Sequence, residues 1–132
     1  MAGALGCALG SMVAEILLSR PKIRAAERRV LRRQKRDLEK IGRQLERLME
    51  KDAQAYRALV LAQRRGKGLL KARAQAIDCP AQICRTAAEA LRLLKDLSRR
   101  TGPYLGSDLK AGAALLRGAS EAAQAMVEVN QK

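Results

Sequence analysis

The apolar residues between Lys22 and Arg65 recur at helical spacing without a break, and this pattern constrains the fold more than any other feature. The first strong stop after it is the sequence Gly66-Lys67-Gly68. A helix of this length measures about 65 Å at a rise of 1.5 Å per residue, about twice the length of the other predicted helices. Because the rest of the chain cannot cover it, we expect either a kink near Gly42 or packing against a second copy. We therefore predict a homodimer in which this helix supplies much of the interface.

The interior has to be built almost without aromatic residues. The chain of 132 residues has no Phe, no Trp and 2 Tyr, and Ala, Leu, Arg, Lys and Glu dominate its composition. Small aliphatic side chains suit close helix packing better than a sheet, and a chain of this length forms one domain. We therefore predict a single all-α domain over residues 1–132, an up-and-down bundle of about four helices with one long central helix.

The first predicted helix, residues 1–19, is apolar and rich in Ala and Gly. No Lys or Arg precedes the apolar run, Glu15 interrupts it, and it is shorter than the roughly 20 residues of a membrane span. We therefore expect neither a signal peptide nor a membrane contact. Gly3, Gly6 and Gly10 leave one face without side chains, so another backbone can approach closely, and we expect Pro21 to end this helix and begin the next.

Proline and glycine divide the second half of the chain. Residues 69–77 are predicted as a short helical connector, and Pro80 as the first residue of a third helix that ends at residues 99–103. After a loop through Gly106, we predict Ser107 as the N-cap of the last helix, with Asp108 in its first turn. On the apolar stripe of that helix, Asn130 also faces inward.

Asp52 stands where the helical pattern asks for an apolar residue, on the stripe that carries Ile41, Leu45, Leu48 and Leu59. A carboxylate in an apolar seam is costly unless it is partnered, and its pKa tends to rise, which suits a general acid or base near neutral pH. Asp52 is therefore the leading catalytic candidate. The alternative is a structural ion pair with an Arg or Lys of a neighbouring helix that only fixes how the helices pack.

The chain has 3 cysteines and no histidine. Cys7, Cys79 and Cys84 do not form a CxxC motif, so we expect reduced thiols, a cytoplasmic location and small packing roles for these side chains. Without histidine, Ser-His and Cys-His catalytic sites and His-containing zinc sites are excluded. We expect no metal cofactor, and acid-base chemistry falls to Asp, Glu, Lys, Cys or Tyr.

The formal net charge is +14, and most of the 27 Lys and Arg lie between Arg20 and Arg73. Such a basic segment attracts polyanions, which include nucleic acid, acidic lipid headgroups and polycarboxylate ligands. Because stacking aromatic residues are nearly absent, nucleic acid could be bound only through its phosphate backbone, and we do not expect it as the main partner. A merely solvated basic face is the plain alternative.

Several short motifs occur in the order and spacing of a known enzyme family. They are the Gly- and Ala-rich segment 3–13, the sequence Asp52-Ala-Gln-Ala-Tyr56, the sequence Ala76-Ile-Asp-Cys-Pro80, and Ser107-Asp108 before an Ala-rich helix that ends in Asn130. With these motifs the chain resembles the cyclodeaminase/cyclohydrolase family, which comprises formiminotetrahydrofolate cyclodeaminase domains and bacterial methenyltetrahydrofolate cyclohydrolases. The resemblance implies an all-α dimeric enzyme of one-carbon folate metabolism, with a tetrahydrofolate derivative as its substrate.

The chain departs from the family pattern at three places. A glycine-rich segment that opens the pattern would precede Gly3, and Glu15 and Met126 stand where the family commonly has asparagine. We therefore expect a truncated or divergent member. A non-catalytic basic helical dimer that binds an acidic partner or a nucleic-acid backbone is the alternative function.

The resemblance also implies the chemistry. Closing formiminotetrahydrofolate to the methenyl form requires N10 to attack the formimino carbon and ammonia to leave, and the hydrolase direction adds water at that carbon. A positioned carboxylic acid suffices for both proton transfers, and Asp52 matches the acid of the family motif. The substrate-binding candidates are Arg20 and Lys22 for the glutamate carboxylates of a folate, polyglutamylated forms included, with Tyr56, Ser107, Asp108 and Asn130. For Ser107 a capping role, and for Asn130 an inter-helix hydrogen bond, are the alternatives.

Overall fold

Four helices account for nearly the whole chain, and they follow from its strong helix formers and from the few residues that interrupt them. In the computed structural model, which describes residues 1–132, there is no strand. The helices are α1 Ala2–Leu18, α2 Ala25–Arg65, α3 Leu69–Ser98 and α4 Pro103–Gln131. The predicted all-α class is confirmed.

The ends of α1 and of α2 depend on local backbone chemistry. α1 stops ahead of Pro21, as predicted, but α2 begins at Ala25 because Pro21 and Lys22 lie in a turn rather than in the first helical turn. Its C-terminus is fixed by Gly66, which adopts the left-handed conformation with φ of 67°. Glycine reaches this conformation without steric cost, so the predicted stop is confirmed.

α3 is longer than the sequence indicated, because Pro80 lies inside it instead of starting it. Residues 69–77, predicted as a connector, form its first part. Proline in a helix interior removes an N–H and leaves the carbonyl four residues earlier without its partner, which here is Ala76. The side chain of Asn130 in α4 supplies that partner, since its Nδ2 donates to the Ala76 oxygen at 2.8 Å.

The start of α4 also differs from the prediction. The helix begins at Pro103 with Gly102 as its N-cap, so the expected loop through Gly106 is helical and Ser107 is not a cap. Pro103 is well suited to the first helical position because it has no N–H to leave unpaired. The Ser107 hydroxyl instead donates to the Tyr104 carbonyl at 3.1 Å.

The four helices pack in a ring. α1 and α3 are each packed between α2 and α4 and make a smaller contact with each other, and α2 does not contact α4. The largest fully buried side chains in the shared core are Leu31, Leu38, Leu45, Leu94, Leu97 and Leu116. Beyond this core, α2 and α3 continue as a two-helix extension with its own small cluster of Leu59, Ala62, Ala72 and Ala76.

The apolar stripe of α2 is covered within one chain, which corrects the expectation that it needs a second copy. Its apolar members from Leu31 to Ala62 are buried, and Asp52 is half-buried. The expectation was wrong because α3 starts at Leu69 and therefore reaches the C-terminal half of α2, which a helix starting at Pro80 would not cover.

α1 approaches its neighbours closely through its glycines, as predicted. A Cβ atom added to Gly6 would lie 2.6 Å from the Gly112 carbonyl oxygen in α4. On the α2 side, Gly42 faces Cys7, where an added Cβ would lie 3.3 Å from the Cys7 Cβ. None of the helices combines the length and apolar character needed to cross a membrane.

Candidate functional site

Asp52 lies in a small apolar cavity at the end of the bundle where α1 begins. The cavity measures about 300 Å³. Its lining comes from α1, α2, α3 and α4, and consists, apart from Asp52, of small and apolar residues: Met1, Ala2, Gly3, Leu45, Met49, Ile83, Gly118, Ala119, Ala122, Ala123 and Met126. Four helices therefore converge on this single carboxylate.

The environment changes the acidity of Asp52. Partial burial among apolar groups raises the pKa of its carboxyl above the ordinary value of 3.8, because water no longer solvates the charged form fully. Asp52 belongs to none of the three ion pairs in the structure. The alternative of a structural ion pair with a neighbouring helix is thus not observed.

Asn130 and Pro80 fix the backbone of α3 beside this cavity. Without the hydrogen bond from Asn130, the Ala76 carbonyl would be left unpaired at a partly buried position, which costs about 1–3 kcal/mol. The pairing ties the last turn of α4 to the part of α3 that faces Asp52. This is the inter-helix hydrogen bond that stood as the alternative for Asn130.

Cys79 lies in the same stretch of α3. Burial raises the pKa of its thiol, the negative charges of Asp52 and Asp78 raise it further, and Lys51 acts in the opposite direction. The thiol is thus neutral near pH 7. Burial alone raises the pKa of Cys7 to about 11, and all three cysteines are unpaired, as the sequence predicted.

Tyr56 is one turn beyond Asp52 but does not share its surroundings. Its side chain is 60% exposed, and Ala55 takes the buried position on the α2 stripe. The cavity contacts that helical spacing did reveal are Leu45 and Ile83. Met49 and Met126 also line the cavity. In the sequence, Met126 stood out only as a departure from the family pattern, and Met49 carried no distinct signal of a site because a methionine on a helix is common in packed cores.

Arg20 and Lys22 lie at the opposite end of the bundle. They line a separate cavity of about 400 Å³ together with Glu27 and Arg100, which form an ion pair at 4.0 Å. Glu27 and Asp52 are both in α2, so the two cavities are about 37 Å apart along that helix. A single chain does not bring these cations to Asp52.

Ser107 lines a third and larger cavity, a groove of about 780 Å³ between α3 and α4. The groove is lined by three cationic side chains, Lys95, Lys110 and Arg117, and by no acidic side chain. The sequence analysis missed these cations, although Lys110 and Arg117 follow Ser107 at helical spacing and therefore share its face. Asp108 is half-buried on the neighbouring face of α4.

Metal-binding chemistry is not apparent at any of these places. No group of three or more His, Cys, Asp or Glu side chains is positioned to hold a metal ion.

The whole sequence matches a model of a known protein family. A family model described as formiminotransferase-cyclodeaminase matches residues 1–132. The chain belongs to this family. The resemblance inferred from the motifs is therefore confirmed, and it extends over the whole chain.

A solved structure supports the same fold. The chain is similar to formiminotetrahydrofolate cyclodeaminase from Thermotoga maritima, with a TM-score of 0.75 and 21% sequence identity. The match covers 98% of this chain and 66% of that chain, so this chain spans slightly less than two thirds of its structural neighbour. No curated protein sequence matches the chain. At this identity the likeness establishes the helical fold of the formiminotransferase-cyclodeaminase family.

Proposed function

We propose that this chain acts on a tetrahydrofolate derivative and forms or hydrolyses 5,10-methenyltetrahydrofolate, with Asp52 as its acid-base group. The observation that carries the proposal is an unpaired carboxyl with a raised pKa in an apolar cavity. Membership of the formiminotransferase-cyclodeaminase family supplies the substrate class, and the cyclodeaminase named for the structural neighbour supplies the reaction.

The chemistry needs only proton transfer at a carbon that the folate already activates. In the cyclodeaminase direction, N10 attacks the formimino carbon and gives up its proton, the =NH nitrogen gains two protons, and its bond to carbon breaks so that ammonia departs. In the cyclohydrolase direction, water adds to the methenyl carbon and loses both protons; one is released and the other goes to one of the two nitrogens, whose bond to that carbon breaks to leave a formyl group on the other nitrogen. A carboxyl with a raised pKa holds a proton more readily than an ordinary aspartate, so Asp52 can serve as donor and then as acceptor.

The apolar walls favour this role because they partly desolvate the carboxyl. A cavity of about 300 Å³ is at the small end of ligand sites, so we expect it to receive the reacting end of the folate rather than the whole molecule. Tyr56 stays a substrate-binding candidate on its motif alone, because its exposed side chain does not line the cavity. Asn130 acts by holding the backbone of α3 in place.

Arg20 and Lys22 can bind the same substrate as Asp52 only in an oligomer. Since the cavity lined by Arg20 and Lys22 is about 37 Å from Asp52, measured along α2 from Glu27, they can hold the glutamate carboxylates of the same folate only if a second copy brings them there. Ser107 and Asp108 are candidates to bind the pterin or amide groups of the folate, again only if a second copy brings them to Asp52.

We assign the homodimer interface to the outer face of α1 instead of α2. Leu5, Met12 and Ile16 are 54%, 40% and 40% exposed on this face, and Glu15 is the only charge in the helix. A helix that is apolar on every side is normally buried. A second copy packed here would also approach the mouth of the Asp52 cavity, which includes Met1 and Ala2.

The cytoplasmic location expected from three reduced cysteines stays part of the proposal.

The test is a comparison of two carboxamide variants. Purified chain is assayed with formiminotetrahydrofolate, by ammonia release and by methenyl absorbance, and with methenyltetrahydrofolate, by loss of that absorbance. Asp52→Asn keeps the shape of the side chain and removes the proton, so turnover should fall about 10²-fold or more with little change in KM. Asp37→Asn is the matched control, because Asp37 is a half-buried acid of α2 outside the cavity.

Either of two results would overturn the assignment. Full turnover by a folded Asp52→Asn variant would remove Asp52 from the chemistry. Absence of both turnover and folate binding in the unmodified chain would remove the folate substrate, whereas binding without turnover would limit the chain to recognition.

A further inference from the structure

The outer face of α2 carries an unbroken row of positive charges. The row, called the basic ridge here, runs at steps of three and four residues and lies directly opposite the buried stripe of the helix. All of its members are exposed, and none takes part in an ion pair. Its members are Arg29, Arg33, Arg36, Lys40, Arg43, Arg47 and Lys51.

This arrangement is unfavourable for an isolated helix. Residues three or four positions apart are neighbours on the surface, and like charges there destabilise a helix by a few tenths of a kcal/mol per pair, about 0.2–0.5. A helix that needed only solubility would alternate acids and bases along its outer face. The basic ridge accumulates six such repulsive steps in succession, and an external anion would relieve all of them.

The shape of the basic ridge favours a linear anion over a flat one. From Arg29 to Lys51 it is about 33 Å long, and it is narrow, because acids lie along both sides. Glu39 and Glu46 line the groove towards α1, and Asp37 and Glu89 line the groove towards α3. A flat anionic bilayer resting on the ridge would also face these acids, whereas a row of phosphates would contact the ridge alone.

The side chains of the basic ridge also lack the features that other anionic partners require. It contains no aromatic residue on which the bases of a single strand could stack. It contains no apolar residue that could enter a membrane interface. Its length is close to the ~34–36 Å of one turn of duplex DNA, which offers one phosphate per ~1.7 Å of its axis.

We propose that the basic ridge binds the phosphate backbone of double-stranded DNA without reading its sequence. This surface lies on the outer face of α2, where only its last member, Lys51, is close to Asp52, and the proposal does not depend on folate chemistry. The proposal gives a defined location to phosphate-backbone binding. It also makes nucleic acid a partner of this chain, although the sequence alone did not lead us to expect nucleic acid as the main partner.

The experiment measures how binding to a labelled duplex of about 20 base pairs depends on salt. If about seven phosphates are contacted, log K should fall with log salt at a slope of about −6 and affinity should drop roughly 10³- to 10⁴-fold between about 50 and 200 mM salt. Two unrelated duplex sequences of the same length should bind equally.

A matched pair of triple variants separates the basic ridge from net charge. Lys40→Gln/Arg43→Gln/Arg47→Gln should reduce the slope to about −4, since each lost phosphate contact removes ~0.9. Arg64→Gln/Lys71→Gln/Arg85→Gln removes the same charge from exposed positions off the ridge and should leave the slope near −6. Circular dichroism checks that both variants stay helical.

The proposal fails if both triple variants lose affinity and slope equally, because the binding would then follow net charge alone. It also fails if the unmodified chain shows no duplex binding at the lowest salt, or if single-stranded DNA or vesicles with anionic headgroups bind more tightly than the duplex at equal salt.

Discussion

α1 and α2 pack against each other, yet their outer faces have opposite character. The outer face of α1 exposes Leu5, Met12 and Ile16 beside a single charge, whereas that of α2 exposes the basic ridge. An apolar outer face gains free energy when another protein surface covers it, and a face of like charges gains it when anions approach. This contrast underlies the two proposals above, in which a second copy covers α1 and anions bind α2.

The inner faces differ as well. α1 meets its neighbours through glycine, so backbones approach and the contact tolerates no added atom. α2 meets them through leucines and through the carboxylates of Glu27, Glu39 and Asp52. The following predictions alter one face at a time, beginning with the largest expected effect.

Gly6→Ala should destabilise the fold by about 3 kcal/mol, because the added Cβ would lie 2.6 Å from a backbone oxygen of α4 that cannot rotate away. Gly118→Ala is the control, since an added Cβ there meets nothing within 4 Å and alanine is the better helix former by about 1 kcal/mol. Urea denaturation measures both. Equal effects of the two substitutions would contradict the close approach of α1 and α4.

Leu5→Lys/Met12→Lys should weaken self-association at least about 10²-fold, because burying two charges in an apolar interface is costly, while the folded monomer should change little. Leu61→Lys/Leu70→Lys alters equally exposed apolar side chains on the two-helix extension and should leave association intact. Sedimentation over a range of concentrations distinguishes them. A monomer in the unmodified chain at tens of micromolar, roughly ordinary assay concentration, would remove α1 as a dimer surface.

The stability of Asp52→Asn relative to the unmodified chain should depend on pH. Because the pKa of Asp52 is raised in the folded state, the folded chain binds its proton more tightly and loses stability as pH rises through that raised value. The variant does not titrate, so at pH 7 it should be at least as stable as the unmodified chain, with the gap closing below the ordinary pKa of 3.8. Melting temperatures across this pH range test it, and a variant that is less stable at pH 7 would contradict the desolvated carboxyl.

The smallest effect is expected on the outer face of α2. Lys40→Glu replaces repulsion from Arg36 and Arg43 by attraction and should stabilise the chain by a few tenths to about 1 kcal/mol at low salt. Lys40→Gln should give roughly half of this gain. Denaturation at low and high salt is the measurement, because the gain should shrink with screening. Equal stability of the Lys40→Glu and Lys40→Gln variants would mean that the charges of the basic ridge do not interact.

Much of the fold could be predicted from local features. The scarcity of aromatic residues and the 3.6-residue periodicity predicted helices. Pro21 and Gly66 marked two helix ends, and Asp52 stood out because a charged residue interrupts an apolar stripe. Each of these signals acts over a few residues, so a single sequence contains it.

Only the tertiary structure decided the rest. α3 continues through Pro80 because Asn130, 54 residues away, pairs with the carbonyl that proline leaves free, and this longer α3 covers the stripe of α2 that seemed to need a second copy. The distance between Asp52 and the cations Arg20 and Lys22 likewise depends on how whole helices are stacked. Such outcomes depend on contacts between segments far apart in the chain, and neither helix propensity nor residue spacing contains information about those contacts. The order of helix formers and breakers is a local property, so the sequence determines it before any packing is known.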